Sequence, residues 1–142
     1  MLFLGNARFV INTIYAGIFQ RHPKLKMVSV ESGAGWVPFI LEAMDHELIE
    51  NAPDEAAELD KKPSEYFAGH WYATFWFEEN KGNLQALVDA VGEDNLLFET
   101  DFPHPTCLYP DPLRKVEDKV STLRPESRRK VMGENAAQLY RL

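Results

Sequence analysis

Two short segments hold the side chains best suited to chemistry, Asp101-Phe-Pro-His-Pro105 and Glu31-Ser-Gly-Ala-Gly-Trp36. In the first, Asp101 is an anion in a loop stiffened by two prolines, whose rings fix φ. Such a carboxylate suits hard cations and zinc alike, and His104 suits either metal ligation or proton shuttling. The plainer reading has Asp101 capping a turn and His104 packing on Pro105, and spacing alone does not separate the two. One Asp with one His is also a thin metal set, because catalytic zinc usually keeps three protein ligands. In the second segment, Glu31 is either a carboxylate facing a ligand that approaches closely over the glycines, or a cap on the following helix.

The remaining reactive side chains say less. His22 precedes Pro23 at a helix end, His46 lies mid-helix between Asp45 and Glu47, and His70 opens a strand at the rim away from the chemistry. All three read as surface or packing histidines. Glu78 and Glu79 either line a pocket or belong to a solvated acidic loop. Cys107 has no evident base partner and reads as inert. Trp36, beside the glycine turn, and Trp76, at the end of an aromatic run, are the indoles placed to edge a substrate site.

The elements that must position these groups alternate. Ala7 to Gln20 carries apolar residues at helical spacing and closes at His22-Pro23. Lys26 to Glu31 is a short β-branched run, and Trp36 to Asn51 is helical with Pro38 in its first turn. Asn51 to Lys62 reads as an acidic, solvated connection with a helical turn. Pro63 to Ala68 predicts a short helix stopped by Gly69, and His70 to Trp76 a second strand. Asn83 caps a helix closed by Gly92, and Asn95 to Thr100 is the third strand. Helices follow from Leu113 to Leu123 and from Pro125 to the end. Strands alternating with helices call for α/β architecture with a parallel sheet, whose chemistry collects at the carboxyl ends of the strands. Those ends lie just past Val30, Phe75 and Thr100.

Composition sets the bounds. With 142 residues, the chain has room for one domain spanning 1–142. Apolar residues at 45% and charged residues at 26% fit a globular chain with a core. A net charge of −7 argues against nucleic acid or an anionic membrane as partner. Trp71 to Phe77, the longest strongly apolar stretch, is far too short to span a bilayer. Asn6 and Arg8 interrupt before a secretory h-region could form, so a cytoplasmic location is the default expectation. The single cysteine excludes an intrachain disulfide and a multi-thiolate zinc site.

Longer blocks then carry a resemblance. Arg21-His-Pro-Lys-Leu-Lys-Met-Val-Ser-Val-Glu-Ser-Gly-Ala-Gly-Trp-Val-Pro38 resembles the segment around the sixth barrel strand of the amidohydrolase-related family, which includes metal-dependent decarboxylases of aromatic acids. Pro63 to Phe67, Gly92 to Pro105 and Gly133 to Tyr140 resemble later blocks of the same family in the same order, so the resemblance covers nearly the whole chain. It implies a (β/α)₈ TIM barrel with a divalent metal, usually zinc, and an aspartate of the eighth strand at that metal. Asp101 matches that aspartate. In the decarboxylase branch a histidine at the end of the sixth strand serves as acid/base, and Glu31 holds that place here. The family's His-x-His pair from the first strand and its fifth-strand histidine have no counterpart in this sequence.

A full barrel needs about 250 residues, so the chain reads as the C-terminal part of one, roughly its last three strands with their helices. Two expectations follow. In the first, the chain is part of a metal-dependent hydrolase or decarboxylase acting on a small molecule. Asp101 binds metal, Glu31 and His104 serve as acid/base or substrate contacts, and the isolated chain is inactive and holds no metal of its own. In the second, it is a non-catalytic fold remnant stabilised by self-association. Three strands cannot close a barrel, so a homodimer or larger assembly is expected to cover an open edge or an inner face carrying Met27, Val28, Val30, Trp71, Phe75, Trp76, Leu96, Leu97 and Phe98.

Overall fold

The computed structural model describes residues 1–56, 58–78 and 83–142. Three short strands, β1 (Met27–Ser29), β2 (Trp71–Phe75) and β3 (Leu96–Phe98), form a parallel sheet in the order β1-β2-β3. Met27 pairs with Trp71 and Ser29 with Ala73, while Ala73 pairs with Leu96 and Phe75 with Phe98. Partners in register share a face. One face therefore carries Trp71, Ala73, Phe75 and Leu96, all in the core shared with the helices. The alternate positions, Val28, Tyr72, Thr74 and Leu97, belong to the other face.

The helices cover the first face. The predicted helix over Ala7 to Gln20 begins earlier and is broken into α1 (Leu2–Tyr15) and α2 (Ile18–Arg21). Gly17, at φ 63°, takes the left-handed turn that other residues resist. α1 buries Ala7, Val10, Thr13 and Ile14 along one stripe. α3 (Val37–Asn51) has Pro38 in its first turn and buries Val37, Leu41, Met44 and Leu48. The acidic connection contains the helical turn α4 (Pro53–Ala56). α5 (Pro63–His70) is not stopped by Gly69 but runs through it. A lone glycine weakens a helix by only about 1 kcal/mol, and the burial of Tyr66, Phe67 and His70 outweighs that. His70 is thus the last residue of a helix rather than the first of a strand. Its ring stacks on Phe19 at 4.4 Å and its Nδ1 lies 2.9 Å from the Leu25 carbonyl, which makes it a packing histidine.

In the second half, α6 (Leu84–Val91) is capped by Asn83, whose Oδ1 accepts the Ala86 N–H at 3.1 Å, and ends at Gly92 with φ 103°. α7 (Pro112–Val120) follows β3. The last helix is continuous through α8 (Pro125–Arg129), a π segment (Lys130–Glu134) and α9 (Asn135–Tyr140). Two buried asparagines fasten this half to the sheet. Asn95 Nδ2 donates to the Trp71 and Ala68 carbonyls at 2.7 and 3.0 Å, and Asn135 Nδ2 to those of Glu93 and Leu96 at 2.7 and 2.8 Å.

The helix layer does more than the sequence suggests. Trp71, Phe75, Leu96 and Leu97 are buried within the chain, while Met27, Val28, Trp76 and Phe98 are half-buried. Of the strand residues expected to lie open, Val30 alone is exposed. The Asn135 clasp gives a direct test. Asn135→Ala leaves two carbonyls beside β3 without that donor, and an unpaired buried group costs about 1–3 kcal/mol. A loss of roughly 2–3 kcal/mol in urea unfolding is expected, and a loss under about 0.5 kcal/mol would show that the clasp carries no load.

Candidate functional site

Each strand leads into a loop at the same end of the sheet, and there the acidic residues collect. β1 runs into Glu31 and β3 into Asp101. Both adopt the left-handed backbone region, at φ 57° and 59°, which costs a non-glycine residue about 1–2 kcal/mol. Such outliers persist where surrounding contacts hold them and gather at functional sites. Here those contacts are visible.

Asp101 is the hub of its loop. One carboxylate oxygen lies 2.7 Å from His104 Nδ1, and the other accepts the Thr106 hydroxyl at 2.8 Å. Its side chain is only 5% exposed. His104 Nδ1 also faces Glu31 Oε1 at 3.4 Å. Carboxylates only accept, so Nδ1 carries the proton and Nε2 is the ring nitrogen left to exchange one. One donor atom from each of Glu31, Asp101 and His104 falls within 4.8 Å of the others. His104 and Glu31 form the open mouth of this group, 51% and 40% exposed.

The plainer readings of these residues fare differently. Asp101 does brace its turn, as the Thr106 bond shows, yet it also binds His104, which therefore does more than pack on Pro105. Glu31 is not the cap of α3. No side chain caps α3, and the Glu78 carboxylate instead accepts the N–H groups of Ala34, in the glycine turn, and Trp76. Glu78 thus ties the β2 end to the glycine turn. Gly33 is needed there: at φ 65°, a Cβ would lie 2.2 Å from Glu78 Oε1. Glu79 lies outside the described residues.

Trp36 and Trp76 are not joined to the cluster. Trp36 donates its indole N–H to the Gly33 carbonyl at 2.9 Å, and Trp76 packs edge-on against Phe77. Among the described residues, no hydrogen bond or ring contact links either indole to Glu31, Asp101 or His104. His22 and His46 are exposed, and Cys107 is a free thiol.

Sequence reasoning missed Glu99. It stands one residue past β3, on the face shared with Leu97 and Thr74, and its Oε1 accepts the Glu31 N–H at 3.1 Å. The Thr74 hydroxyl, with one proton to give, lies between the Ser29 carbonyl at 3.2 Å and the Glu99 carboxylate. Burial pushes the Glu99 carboxyl up, and the Thr74 and Glu31 hydrogen bonds pull it back. A carboxylate continuing the alternation of a buried strand was the signal that could have found it.

A cavity of about 410 Å³ opens elsewhere, by the C-terminal ends of α1 and α3, lined by Tyr15, Arg21, Leu48 and Leu59 among others. It shares no residue with the acidic cluster. Chemistry is the better guide, because the strand-tip group brings a histidine and two carboxylates within 4.8 Å of one another at the carboxyl end of the sheet.

A sequence model of the amidohydrolase family matches residues 6–142. The chain belongs to the amidohydrolase family. It is 34% identical over 98 residues to a 2-amino-3-carboxymuconate-6-semialdehyde decarboxylase of Dictyostelium discoideum, a match covering 68% of this chain and 26% of that protein. Among solved structures it is similar to the 5-carboxyvanillate decarboxylase of Sphingomonas paucimobilis, with 27% identity and a TM-score of 0.71 over 93% of this chain and 38% of the other. It also shares the fold of a dihydroxybenzoic acid decarboxylase of Polaromonas sp. JS666, solved with manganese and an inhibitor. That match has 22% identity and a TM-score of 0.74 over 96% of this chain and 40% of the other. The match thus spans about a quarter of the curated relative's length. The fold of this amidohydrolase chain is α/β, a partial TIM barrel in which three parallel strands carry the acidic tips.

The tip electrostatics predict a pH response. Asp101, then Glu31, raises the His104 pKa above its ordinary 6.5, and the His104 and Thr106 bonds lower Asp101 below 3.8. A raised histidine stabilises the fold below pH 6.5 and loses that contribution as pH rises through its folded value. A lowered aspartate contributes above pH 3.8 and loses that contribution as pH falls through its folded value. The interaction is therefore strongest between the two. An NMR titration is expected to place the His104 midpoint above 6.5 and to show it falling in Asp101→Asn. An unchanged midpoint in that variant would mean that the pair does not form in solution.

Proposed function

We propose that this amidohydrolase chain supplies the closing strands of a metal-dependent carboxy-lyase, with Asp101 as metal carboxylate and Glu31 with His104 as the proton-handling pair. One observation carries the reading: three complementary groups from the tips of β1 and β3 converge within 4.8 Å, held by two left-handed backbone positions. The similarity to decarboxylases favours a carboxylic acid as substrate over the C–N or C–O bonds that other hydrolases cleave.

The residues present fit a divalent ion. Asp101 offers a shielded carboxylate, and Glu31 stands in reach as a further oxygen donor, the chemistry that zinc and manganese accept. A bound ion would supply Lewis acidity toward an oxygen of the substrate. The rest falls to the side chains. When a carboxylate departs as CO₂, its electron pair stays on carbon, and a proton must be delivered there. His104 can deliver it from Nε2, because Asp101 holds Nδ1–H and orients the ring. Glu31 stabilises the imidazolium before transfer and can accept a proton in the reverse direction.

The non-catalytic reading is favoured by the open mouth, where His104 and Glu31 lie substantially exposed and water can compete for every polar contact. Exposed Leu2, Leu4 and Phe9 on α1, with Val30 past β1, form surface that further strands or a second copy would cover. A homodimer or larger assembly is accordingly proposed for the isolated chain. A well-folded monomer by light scattering at micromolar concentration would refute it.

Metal and turnover test the catalytic reading. Manganese added to the chain is expected to broaden NMR resonances around Asp101, with affinity rising as pH climbs through the His104 value, since the imidazolium beside Asp101 repels a cation. Asp101→Asn is expected to abolish the broadening, and the ion to be lost on desalting. If no resonance near Asp101 responds, the metal assignment fails. The chain alone is expected to release no CO₂ from 5-carboxyvanillate. Turnover that vanishes in Asp101→Ala would show that the site is complete without further strands.

A further inference from the structure

We infer that Glu99 is a positioning residue that fixes Glu31 for its contact with His104 by accepting the Glu31 backbone N–H across the tip of β2. β1 and β3 are not neighbours in this sheet, and β2 lies between them. Strands stand about 4.8 Å apart, so the backbones that carry Glu31 and Glu99 are separated by roughly twice that distance. A side chain of glutamate length is needed to close the gap, and Glu99 does so with Oε1 at 3.1 Å and Oε2 at 3.5 Å from the same nitrogen.

Consequences for Glu31 follow from its backbone. At φ 57° it occupies a region that a glutamate leaves readily unless its peptide group is held. Glu99 supplies the hold on the N–H side. Asn6, from α1, grips the same turn by donating Nδ2 to the Val30 carbonyl at 3.1 Å, so the peptide before Glu31 is fixed at both its polar atoms. With that peptide fixed, the Glu31 side chain leaves the backbone toward His104, 3.4 Å from Nδ1. If the peptide turned, the carboxylate would swing off the site while Asp101 and His104 kept their own bond. Among the described residues no hydrogen bond or ion pair joins Glu99 to His104 or Asp101, so Glu99 acts through Glu31.

This inference rests on the reading of Glu31 as a member of the site, and its test keeps the two apart. Amide exchange of Glu31 is measured by ¹H–¹⁵N NMR in the full chain, in Glu99→Gln and in Glu99→Met. Glutamine keeps an acceptor oxygen at the same reach, whereas methionine keeps the length and loses the acceptor. Glu31 is expected to be protected in the parent, protected to within about threefold in Glu99→Gln, and at least tenfold less protected in Glu99→Met. Manganese is then added to each. In Glu99→Met, broadening at Glu31 is expected to fall while broadening at Asp101 persists. Equal protection in all three proteins would overturn the inference, as would a glutamine variant as unprotected as the methionine one. A parent chain that shows the exchange pattern but no response to manganese would leave the positioning role standing and sink the metal reading instead.

Discussion

The strand order places β2 between the two strands whose tips carry the reactive groups, and everything at the site answers to that separation. Backbone hydrogen bonds knit β1 to β2 and β2 to β3 but cannot reach from β1 to β3. Two carboxylates tie the strand tips together, and one of them covers that distance. Glu99 crosses the sheet tip to the Glu31 amide, and Glu78 joins the end of β2 to the glycine turn after β1. Each accepts N–H groups that the sheet ladder leaves unpaired at its margin, so each removes an unsatisfied donor and sets a loop in one operation. The His104–Asp101–Glu31 group is built on this wiring.

That arrangement is costly in charge. Glu31, Glu99 and Asp101 gather at one end of a chain that already carries −7, and His104 is the basic side chain that ion pairs join to them among the described residues. Like charges in such proximity favour any cation that enters, whether proton or metal, which is why His104 holds its proton more tightly than an isolated imidazole. The same field repels a carboxylate substrate. An anionic substrate at this end needs a positive centre beyond those in the cluster, and a divalent ion is the economical one.

Much of this was legible in the sequence, for identifiable reasons. Short apolar runs bounded by turn residues located all three strands, and period-3.6 spacing located the main helices, because burial leaves an imprint on composition. The Asp101 to Pro105 motif announced itself by pairing a rigid loop with two functional groups. What stayed hidden depended on tertiary contact. Gly69 reads as a stop, but Phe19 stacks on His70 just beyond it and draws the helix onward. Glu31 reads equally well as a helix cap, and only its placement opposite His104, with α3 left uncapped by any side chain, removes that option. Glu99 could not be singled out because its partner lies 68 residues away. Trp36 and Trp76 sit at the expected end, but their contacts belong to their own loops.

The three tryptophans are divided between the two ends of the sheet. Trp71 is buried between the rings of Phe9 and Phe19, with an indole N–H that meets no acceptor, whereas Trp36 and Trp76 stand part-exposed where the strands finish. The protein therefore carries two optical reporters in one spectrum. Trp71 emits from dry surroundings, at the blue side and out of reach of iodide or acrylamide. Trp36 and Trp76 emit from a wetter rim, to the red and open to quenchers. Fluorescence can thus follow the loosening of the interior and the occupation of the strand tips as separate signals, without adding any label.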